Sequence, residues 1–323
     1  MKLLLRIVLV LVVAVALLAT GVYAWASASS SRTLNRTIEV HEVDFPIPFP
    51  LEADEIAELG LSPAEAEALA HERAVERGRH LVHARYPCGD CHGDDYGGGV
   101  MVDAFPIGTL LGPNLTSGRG SVVLDYTPAD WSRIVRHGVR KDGRPAVMPS
   151  EDFLRMSDQE LSDIVAYIES LPPVDNELRA VKLGPLGRIL MATGEIKLSV
   201  DLIESHDAPH PVYPPPTEVS VEFGQHLGGV CVGCHGMEMT GGKIAGGDPA
   251  WVPASNLTPH AEGLAGWSYE DFVAAMRDAR RPDGSEIRVP MTFVQPYAQQ
   301  MTEVEMQALW TYLQSLPPQP TPR

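Results

Sequence analysis

The pentapeptide Cys88-Gly89-Asp90-Cys91-His92 governs the interpretation of this chain, because it occurs again as Cys231-Val232-Gly233-Cys234-His235. The two pentads contain all four cysteines of the 323 residues. Each is followed directly by a glycine, Gly93 or Gly236. The chain is therefore organised around two copies of one arrangement of two thiols and an imidazole.

Cys-x-x-Cys-His is the attachment signature of a c-type haem. Two thiols separated by two residues can each form a thioether to a vinyl group of one porphyrin, and the histidine that follows can offer a ring nitrogen to the iron. The sequence predicts two covalent haem c groups, each held by two cysteines with one histidine as an axial iron ligand. The residues concerned are Cys88, Cys91, His92, Cys231, Cys234 and His235.

A Cys-x-x-Cys pair is also compatible with a thioredoxin-like redox pair, half of a zinc site or a disulfide. A four-cysteine zinc site would require the two pairs to converge although 143 positions separate Cys88 from Cys231. It would also leave two adjacent histidines without a role. A c-type haem is the interpretation that gives a role to every cysteine and histidine of both pentads.

The length of 323 residues suggests about two domains, and the hydrophobic content of 44% allows each to bury a core. The net charge of −17 makes nucleic acid an unsuitable partner. An acidic surface can simply be solvated, or it can steer the protein toward a basic redox partner.

The first residues form a candidate membrane segment. From Ile7 to Ala26 the sequence contains no charge, and as a helix this run would span about 30 Å, the hydrocarbon thickness of a bilayer. Residues 1–27 are predicted to be an uncleaved anchor, with a cleaved signal peptide as the alternative. Tyr23 and Trp25 lie where interfacial aromatic residues are expected. Because c-type haems are attached outside the bacterial cytoplasmic membrane, the globular part is expected in the periplasm.

The remainder of the chain is an internal repeat. Gly78-Arg79-His80-Leu81 returns as Gly224-Gln225-His226-Leu227, and Tyr167 to Pro173 returns as Tyr312 to Pro318. The offsets between the copies stay nearly constant, so the chain contains two homologous domains. The predicted segments are a tether (28–61), domain 1 (62–173), a linker (174–216) and domain 2 (217–323).

Helices are predicted from caps and apolar spacing. In domain 1 they cover Ala64–Leu81, Pro128–Val139, with Trp131 on its inner face, and Asp158–Ser170. The linker is predicted to contain a short helix over Leu186–Thr193, ended by Gly194.

A haem iron bound by one histidine needs a sixth ligand or is open for chemistry. Methionine is the leading candidate, because its thioether stabilises ferrous iron. The repeat selects Met148 and Met291, each after an Asp-Gly turn and next to a proline. Met156 and Met301 also align, but they precede the residues that cap the last helix, so a structural role is predicted for both.

Two other pairs of repeated residues are weaker candidates for a role at the haem. His80 and His226 lie on the helix before each pentad, where an exposed or core-edge histidine is the commoner outcome. Asn114 and Asn256 resemble glycosylation acceptors. Their recurrence instead suggests a loop that packs at the haem edge and bonds a propionate.

These motifs resemble those of the class I cytochrome c family in a di-haem form. The resemblance covers 62–173 and 217–318 and includes the Gly-x-His-Leu stretch, the pentads, the Asn-Leu-Thr loop, the methionine beside proline and the Leu-Pro-Pro end. It implies an all-α fold in which the first and last helices of each domain cross near the haem. In domain 2 these are Val219–Leu227 and Val304–Ser315. The sequence is also similar to membrane-bound cytochrome subunits that accept electrons from periplasmic dehydrogenases. The order Pro290-Met291 departs from Met148-Pro149.

The function expected from these features is electron transfer, with no catalytic residues of its own, between a periplasmic or membrane donor and a soluble cytochrome or oxidase. One alternative is a haem enzyme, such as a di-haem peroxidase or a thiosulfate-oxidising cytochrome, which needs an open iron position. Another is a subunit that serves as the electron outlet of a dehydrogenase complex. The expected partners are redox proteins and, through the first helix, a membrane.

Overall fold

The computed structural model of the chain describes residues 1–178, 181–244, 247–248 and 250–322. Two positions of the predicted linker, Arg179 and Ala180, lie outside this description. The described α-helices are α1 (Lys2–Asn35), α2 (Ala53–Leu59), α3 (Pro63–Ala84), α4 (Cys88–His92), α5 (Pro128–His137), α6 (Asp158–Ser170), α7 (Pro185–Thr193), α8 (Ser199–Leu202), α9 (Val221–Leu227), α10 (Val232–His235), α11 (Tyr269–Asp278), α12 (Gln295–Gln300) and α13 (Glu303–Ser315). Three short 3₁₀ helices cover Ser150–Asp152, Gly228–Cys231 and Met291–Phe293.

The first and last helices of each domain cross at a glycine. A Cβ atom added to Gly78 of α3 would lie 2.0 Å from the carbonyl oxygen of Asp163 in α6. In domain 2, a Cβ added to Gly224 of α9 would lie 2.0 Å from the carbonyl oxygen of Ala308 in α13. The glycine of each Gly-x-His-Leu stretch is therefore required because it lets two helix backbones touch. This confirms the crossing that the family resemblance implies.

Local caps set the helix ends. Ser62 and Glu65 form a capping box at the start of α3, with Pro63 in the first turn. Helix α6 covers the predicted range, whereas α5 stops at His137 rather than Val139. It stops there because Gly138 adopts a φ of 65° and terminates the helix. The predicted helices of domain 1 are otherwise confirmed.

A small sheet is added to this mainly helical fold. Strands β1 (Gly99–Ala104) and β2 (Gly108–Gly112) form an antiparallel hairpin, for which the sequence analysis predicted no strand. Strand β3 (Lys182–Leu183) comes from the linker and pairs with β2. The predicted linker helix is confirmed as α7, and Gly194 ends it with a φ of 81°.

The predicted tether is partly built into domain 1. Helix α1 continues to Asn35, beyond the predicted end of the anchor at residue 27. Phe45 and Phe49 then enter the domain 1 core, where they are 5% and 8% exposed. Trp131 lies in the same core, as predicted. A separate small cluster joins α1, the tether and the linker to domain 1.

Reciprocal contacts join the two domains. His80 of domain 1 places its Nε2 2.9 Å from a carboxylate oxygen of Glu305 in α13. His226 of domain 2 places its Nε2 2.8 Å from Glu160 in α6. Arg85 bonds both carboxylates, at 2.5 Å to Glu305 and 3.2 Å to Glu160. The repeated histidines therefore lie at the domain interface, each against the capping glutamate of the other domain.

Buried charge at this interface is compensated. Burial opposes ionisation of Glu305, but the hydrogen bond from His80 and the positive charge of Arg85 hold its pKa down at about 2. The pKa of Glu160 is likewise lowered despite burial, mainly through the hydrogen bond and charge of His226. Both glutamates also cap the helix that carries them. Separating the domains would remove His80 and Arg85 from Glu305 and His226 from Glu160.

Candidate haem sites

Each pentad ends in a turn that only glycine makes easily. The helices α4 and α10 stop at their histidines, and Gly93 and Gly236 follow with φ of 79° and 77°. The chain then folds back, so that the amide of Gly98 donates to the carbonyl of His92 at 2.8 Å. The glycine after each pentad therefore has a conformational role.

The imidazole rings are oriented by backbone carbonyls. His92 Nδ1 lies 2.9 Å from the carbonyl oxygen of Pro113, and His235 Nδ1 lies 2.7 Å from that of Ser255. A carbonyl only accepts, so each Nδ1 carries the proton and each Nε2 keeps its lone pair. Burial lowers the pKa of both rings, which favours the neutral form that a metal requires. Both histidines are therefore prepared to ligate iron through Nε2.

Domain 1 contains a cavity that joins the predicted ligands. The cavity has a volume of about 760 Å³, and Cys91, His92 and Met148 all line it. This volume is in the usual range for cofactor pockets. Arg140 also lines it and supplies positive charge suited to the carboxylates of a porphyrin, whereas the lining residue Lys141 is already paired with Asp125. The residues of domain 1 thus fit haem c with a histidine and a methionine on the iron.

Domain 2 brings two of the corresponding residues, Cys231 and Met291, against one apolar cluster. Cys231 and Met291 pack against its core, and His235 is 7% exposed. Met291 begins a 3₁₀ helix immediately after Pro290. The reversed order of proline and methionine therefore does not remove the methionine from the core. These residues also fit haem c, and the ligand assignments in both domains stay predictions.

The aligned methionines Met156 and Met301 have structural surroundings. Met156 is 1% exposed, and its carbonyl accepts a hydrogen bond from Arg136 at 3.2 Å. The carbonyl of Met301 accepts one from Arg277 at 2.8 Å. In each domain an arginine of an earlier helix, α5 or α11, thus binds the chain just before the last helix. This agrees with the structural role predicted for both methionines.

The thiol environments argue against the other readings of Cys-x-x-Cys. Burial raises the pKa of Cys88 and of Cys231 to about 12. A reactive redox pair needs the opposite shift, toward the thiolate. Among the described residues, no three His, Cys, Asp or Glu side chains form a group that could hold a metal ion. Convergence of the two pairs on one zinc ion is therefore not supported.

The repeated asparagines bind the Asn-Leu-Thr loop of each domain to the chain that follows the last helix. The amide of Asn114 donates to the carbonyl of Val174 at 2.7 Å, and its oxygen accepts from the backbone of Thr116 at 2.9 Å. Asn256 makes the same contacts with Gln319 and Thr258. Asn114 does line the haem cavity, but its amide is used on the backbone. The predicted bond to a propionate is wrong, and both side chains are too buried to be glycosylated.

Sequence reasoning missed the carbonyl groups that orient the histidines. Pro113 and Ser255 each lie directly before the repeated asparagine, so they occupy equivalent positions of the repeat. Every residue type has a backbone carbonyl, so residue type does not reveal this acceptor. Proline and serine can therefore both accept the hydrogen bond from the histidine. The nearly constant spacing between pentad and asparagine, 26 positions in domain 1 and 25 in domain 2, was the available signal.

Comparison with known proteins supports two cytochrome domains. The family described as "Cytochrome C oxidase, cbb3-type, subunit III" matches residues 73–168, and the family "Cytochrome c" matches 222–317. A cytochrome c subunit of alcohol dehydrogenase (quinone) from Gluconacetobacter polyoxogenes is 28% identical over 277 residues, covering 76% of this chain and 56% of that protein. A fructose dehydrogenase cytochrome subunit from Gluconobacter japonicus is 24% identical, with coverage of 77% and 54%.

A third relative matches over a shorter region. The gluconate 2-dehydrogenase cytochrome c subunit of Pantoea cypripedii is 35% identical over 111 residues, covering 32% of this chain and 24% of that protein. The chain spans about half the length of the first relatives it matches. Two repeated haem-binding domains with this fold define a class of electron-transfer proteins. The chain belongs to the class I cytochrome c family as a di-haem member, with two covalently bound haem c groups.

Proposed function

We propose that this protein is a membrane-anchored electron carrier that accepts electrons from a membrane-associated dehydrogenase and delivers them to a cytochrome or oxidase. Haem c supplies an iron that exchanges one electron between the ferric and ferrous states. In this proposal Cys88, Cys91 and Cys231, Cys234 hold the porphyrins. The proposed axial ligands are His92, Met148, His235 and Met291.

The observation that carries the proposal is the position of both pentads at the domain interface. Asp90 of the first pentad accepts a hydrogen bond from the Tyr297 hydroxyl at 2.5 Å. Gly233 occupies the same place in the second pentad, and its amide donates to Asp152 at 3.0 Å. Asp152 and Tyr297 are separated by the same offset as Tyr167 and Tyr312, so the two contacts are equivalent. An arrangement that places each attachment site against the other domain suits transfer from one haem to the other.

The proposed location follows from α1. It is the one helix in the described part of the chain that is long and apolar enough to cross a membrane, and residues 2–25 are exposed along it. Haem c attachment favours the periplasmic side of a bacterial inner membrane for the two domains. The anchor would keep the haem pair beside a membrane-bound donor.

The proposed donor class comes from the relatives. Three different dehydrogenases have cytochrome subunits that resemble this chain. This supports the role of electron outlet for a dehydrogenase, which is one form of the carrier function. The methionines proposed as the sixth ligands in both domains argue against the enzyme alternative, because peroxide chemistry needs an open iron.

The test mixes reduced full-length protein with an oxidised basic c-type cytochrome. We expect rapid oxidation of both haems, with a rate that falls as salt screens the charge of −17. In a parallel sample, hydrogen peroxide should give no sustained turnover. Continued peroxide consumption would support a haem enzyme and contradict the carrier proposal.

An interface variant shows whether electrons pass between the domains. Arg85→Met removes the cation shared by Glu160 and Glu305 and is expected to loosen the interface. If transfer crosses the interface, the two haems should then oxidise in separate phases instead of together. Arg119→Met is the matched control, because its ion pair with Asp175 is exposed and within domain 1 and the linker.

A further inference from the structure

The point where the globular part first touches α1 coincides with the end of the apolar run. Every residue of α1 up to Trp25 is exposed, whereas Ala26 and Ser30 are fully buried. Tyr23 and Trp25, just before this point, are 45% and 49% exposed. The domain surface that covers Ala26 therefore lies at the level where α1 would leave the bilayer.

The element that covers this part of α1 is the linker helix α7. Met191, near the end of α7, shares an apolar cluster with Leu34 and Ile38, which lie beyond the membrane end of α1. Helix α7 therefore packs beside the part of α1 that the globular domain buries, from Ala26 onward. At 1.5 Å per residue, α7 and the stretch from Ala26 to Leu34 have similar lengths, about 12 to 13 Å.

The tip of the β1–β2 hairpin is fastened to the start of α7. The amide of Leu186 donates to the carbonyl of Pro106 at 3.0 Å, and that of Gly184 donates to Ile107 at 2.7 Å. A Cβ on Gly184 would lie 2.3 Å from the Pro106 oxygen, so the contact is between backbones. The hairpin tip is thereby held against the start of α7, the helix that packs along α1.

Apolar side chains are exposed at this tip. Phe105 is 90% exposed, and Leu186 beside it is 36% exposed. Lys182 and Arg188 lie in the adjoining linker, although the protein as a whole is strongly acidic. Asp103, the one carboxylate in the hairpin sequence 99–112, is bonded by the hydroxyl of Thr109 at 2.9 Å. An extended phenyl ring with basic neighbours suits the boundary between lipid head groups and acyl chains.

We infer that Phe105 and the first turn of α7 insert into the lipid surface that α1 crosses, as a second membrane contact of domain 1. The inference rests on the proposed anchoring by α1. The same hairpin provides Met101 and Leu111 to the wall of the haem cavity. Insertion of its tip therefore fixes the first haem site at the membrane surface, in a defined orientation.

The test uses the full-length holo-protein in liposomes of phosphatidylethanolamine and phosphatidylglycerol that contain a lipid with a photoreactive diazirine in its acyl chain. After irradiation, mass spectrometry locates the lipid adducts. Adducts are expected on α1 and on the peptide containing Phe105, and not on the peptide containing Leu59, an exposed leucine of α2. Phe105→Ser should reduce the hairpin adduct at least fivefold and leave the α1 adduct unchanged.

The outcomes separate the inference from the anchor. Adducts on α1 alone would overturn the hairpin contact and leave the anchor in place. A hairpin adduct that Phe105→Ser does not reduce would also overturn it. Without adducts on α1, the anchor and the inference both fail. Phe293→Ser, at an exposed phenylalanine of domain 2, is the matched control and should change no adduct.

Discussion

In each domain a loop with an Asp-Gly turn leads to the predicted methionine ligand, Met148 or Met291. The two loops have the same type of turn but are covered by different parts of the chain. Val139 forms a bridge with Pro145 across the Asp-Gly turn of domain 1, and Arg280 forms the equivalent bridge with Glu286 in domain 2. Val139 is fully buried, whereas Arg280 is exposed. The same backbone position is therefore interior in one domain and surface in the other.

The linker is responsible for this difference. Leu198 and Val200 of the linker pack against Val139. The hydroxyl of Ser199 bonds the carbonyl of Met148, and its oxygen accepts from the amide of Ser150 at 2.9 Å. In the described part of domain 2, by contrast, the residues flanking Met291 include Val289, Phe293 and Val294, which are 44%, 51% and 40% exposed.

The two predicted haem sites therefore differ in what covers the methionine-containing loop more than in the residues predicted to ligate the iron. Burial disfavours the extra charge of ferric iron and raises the reduction potential, whereas solvent exposure lowers it. We therefore expect the domain 1 haem to have the higher potential. Electrons that enter the protein should come to rest there.

The largest effect is expected from removing each methionine. Met148→Ala should abolish the thioether-to-ferric-iron absorption of the high-potential haem, and Met291→Ala that of the low-potential haem. Each potential should fall by about 0.1 to 0.2 V, part of the range of about 0.8 V that axial ligands span. A redox titration with spectra at each step measures both.

The same two variants can also contradict the expected order of the two haem potentials. If Met148→Ala altered the lower of the two potentials, the order of the haems would be reversed. Unchanged spectra in either variant would refute that ligand. Met156→Leu is the control, because this buried methionine is assigned to packing and should leave both absorptions intact.

An exchange of side chains between Val139 and Arg280 tests whether the linker covers domain 1. Val139→Arg places an unpaired charge beneath the linker and should lower the free energy of unfolding of domain 1 by about 4 kcal/mol. Arg280→Val changes an exposed position and should alter stability by less than about 0.5 kcal/mol. Denaturant titrations followed at the haem absorption compare the two. Equal effects would mean that the linker does not cover domain 1 in solution.

Acid should loosen the cover of domain 1. His137 of α5 lies 3.1 Å from His206 and 2.9 Å from His210 of the linker, measured between ring nitrogens. Burial, followed by the charges of His210, His206, His41 and Arg136, lowers the pKa of His137 to about 3. Burial and the charges of Arg136 and His41 lower that of His210 to about 4.

The sign of the effect follows from proton binding. Below the ordinary histidine pKa of 6.5, His137 and His210 bind protons in the unfolded chain but stay neutral in the folded protein, where their pKa is lowered. Stability is therefore lost as pH falls from about 6.5 toward 3, by at most about 1.4 kcal/mol per pH unit for each histidine. His210→Gln should flatten this slope. Denaturation midpoints that stay constant between pH 7 and pH 4 would contradict it.

The smallest effect is expected at the second pentad. Burial, with the charge of Glu151, raises the pKa of Asp152 to about 7 beside Gly233. Reduction of the neighbouring iron removes positive charge and favours the protonated acid. The domain 2 potential should thus fall as pH rises through about 7, by less than about 59 mV per unit. Asp152→Asn should abolish this slope, and a slope that persists would assign it to another group.

The haem motifs and most helices of domain 1 could be predicted because their determinants are local. The pentad spacing, the Ser62 cap and the glycine stops act within a few residues. The guess that Asn114 bonds a propionate failed because its partner, Val174, lies at the far end of the domain. The β1–β2 hairpin was missed because its pairing depends partly on a strand of the linker.

The sequence by itself determined two haem-binding repeats, their cysteines and histidines, and one apolar segment at the start of the chain. Only the tertiary structure decided that His80 meets Glu305, 225 positions away, and that the linker covers one methionine loop. The reason is physical. Attachment chemistry and helix caps need neighbours in sequence, whereas burial and charge pairing depend on which surfaces meet after the chain has folded.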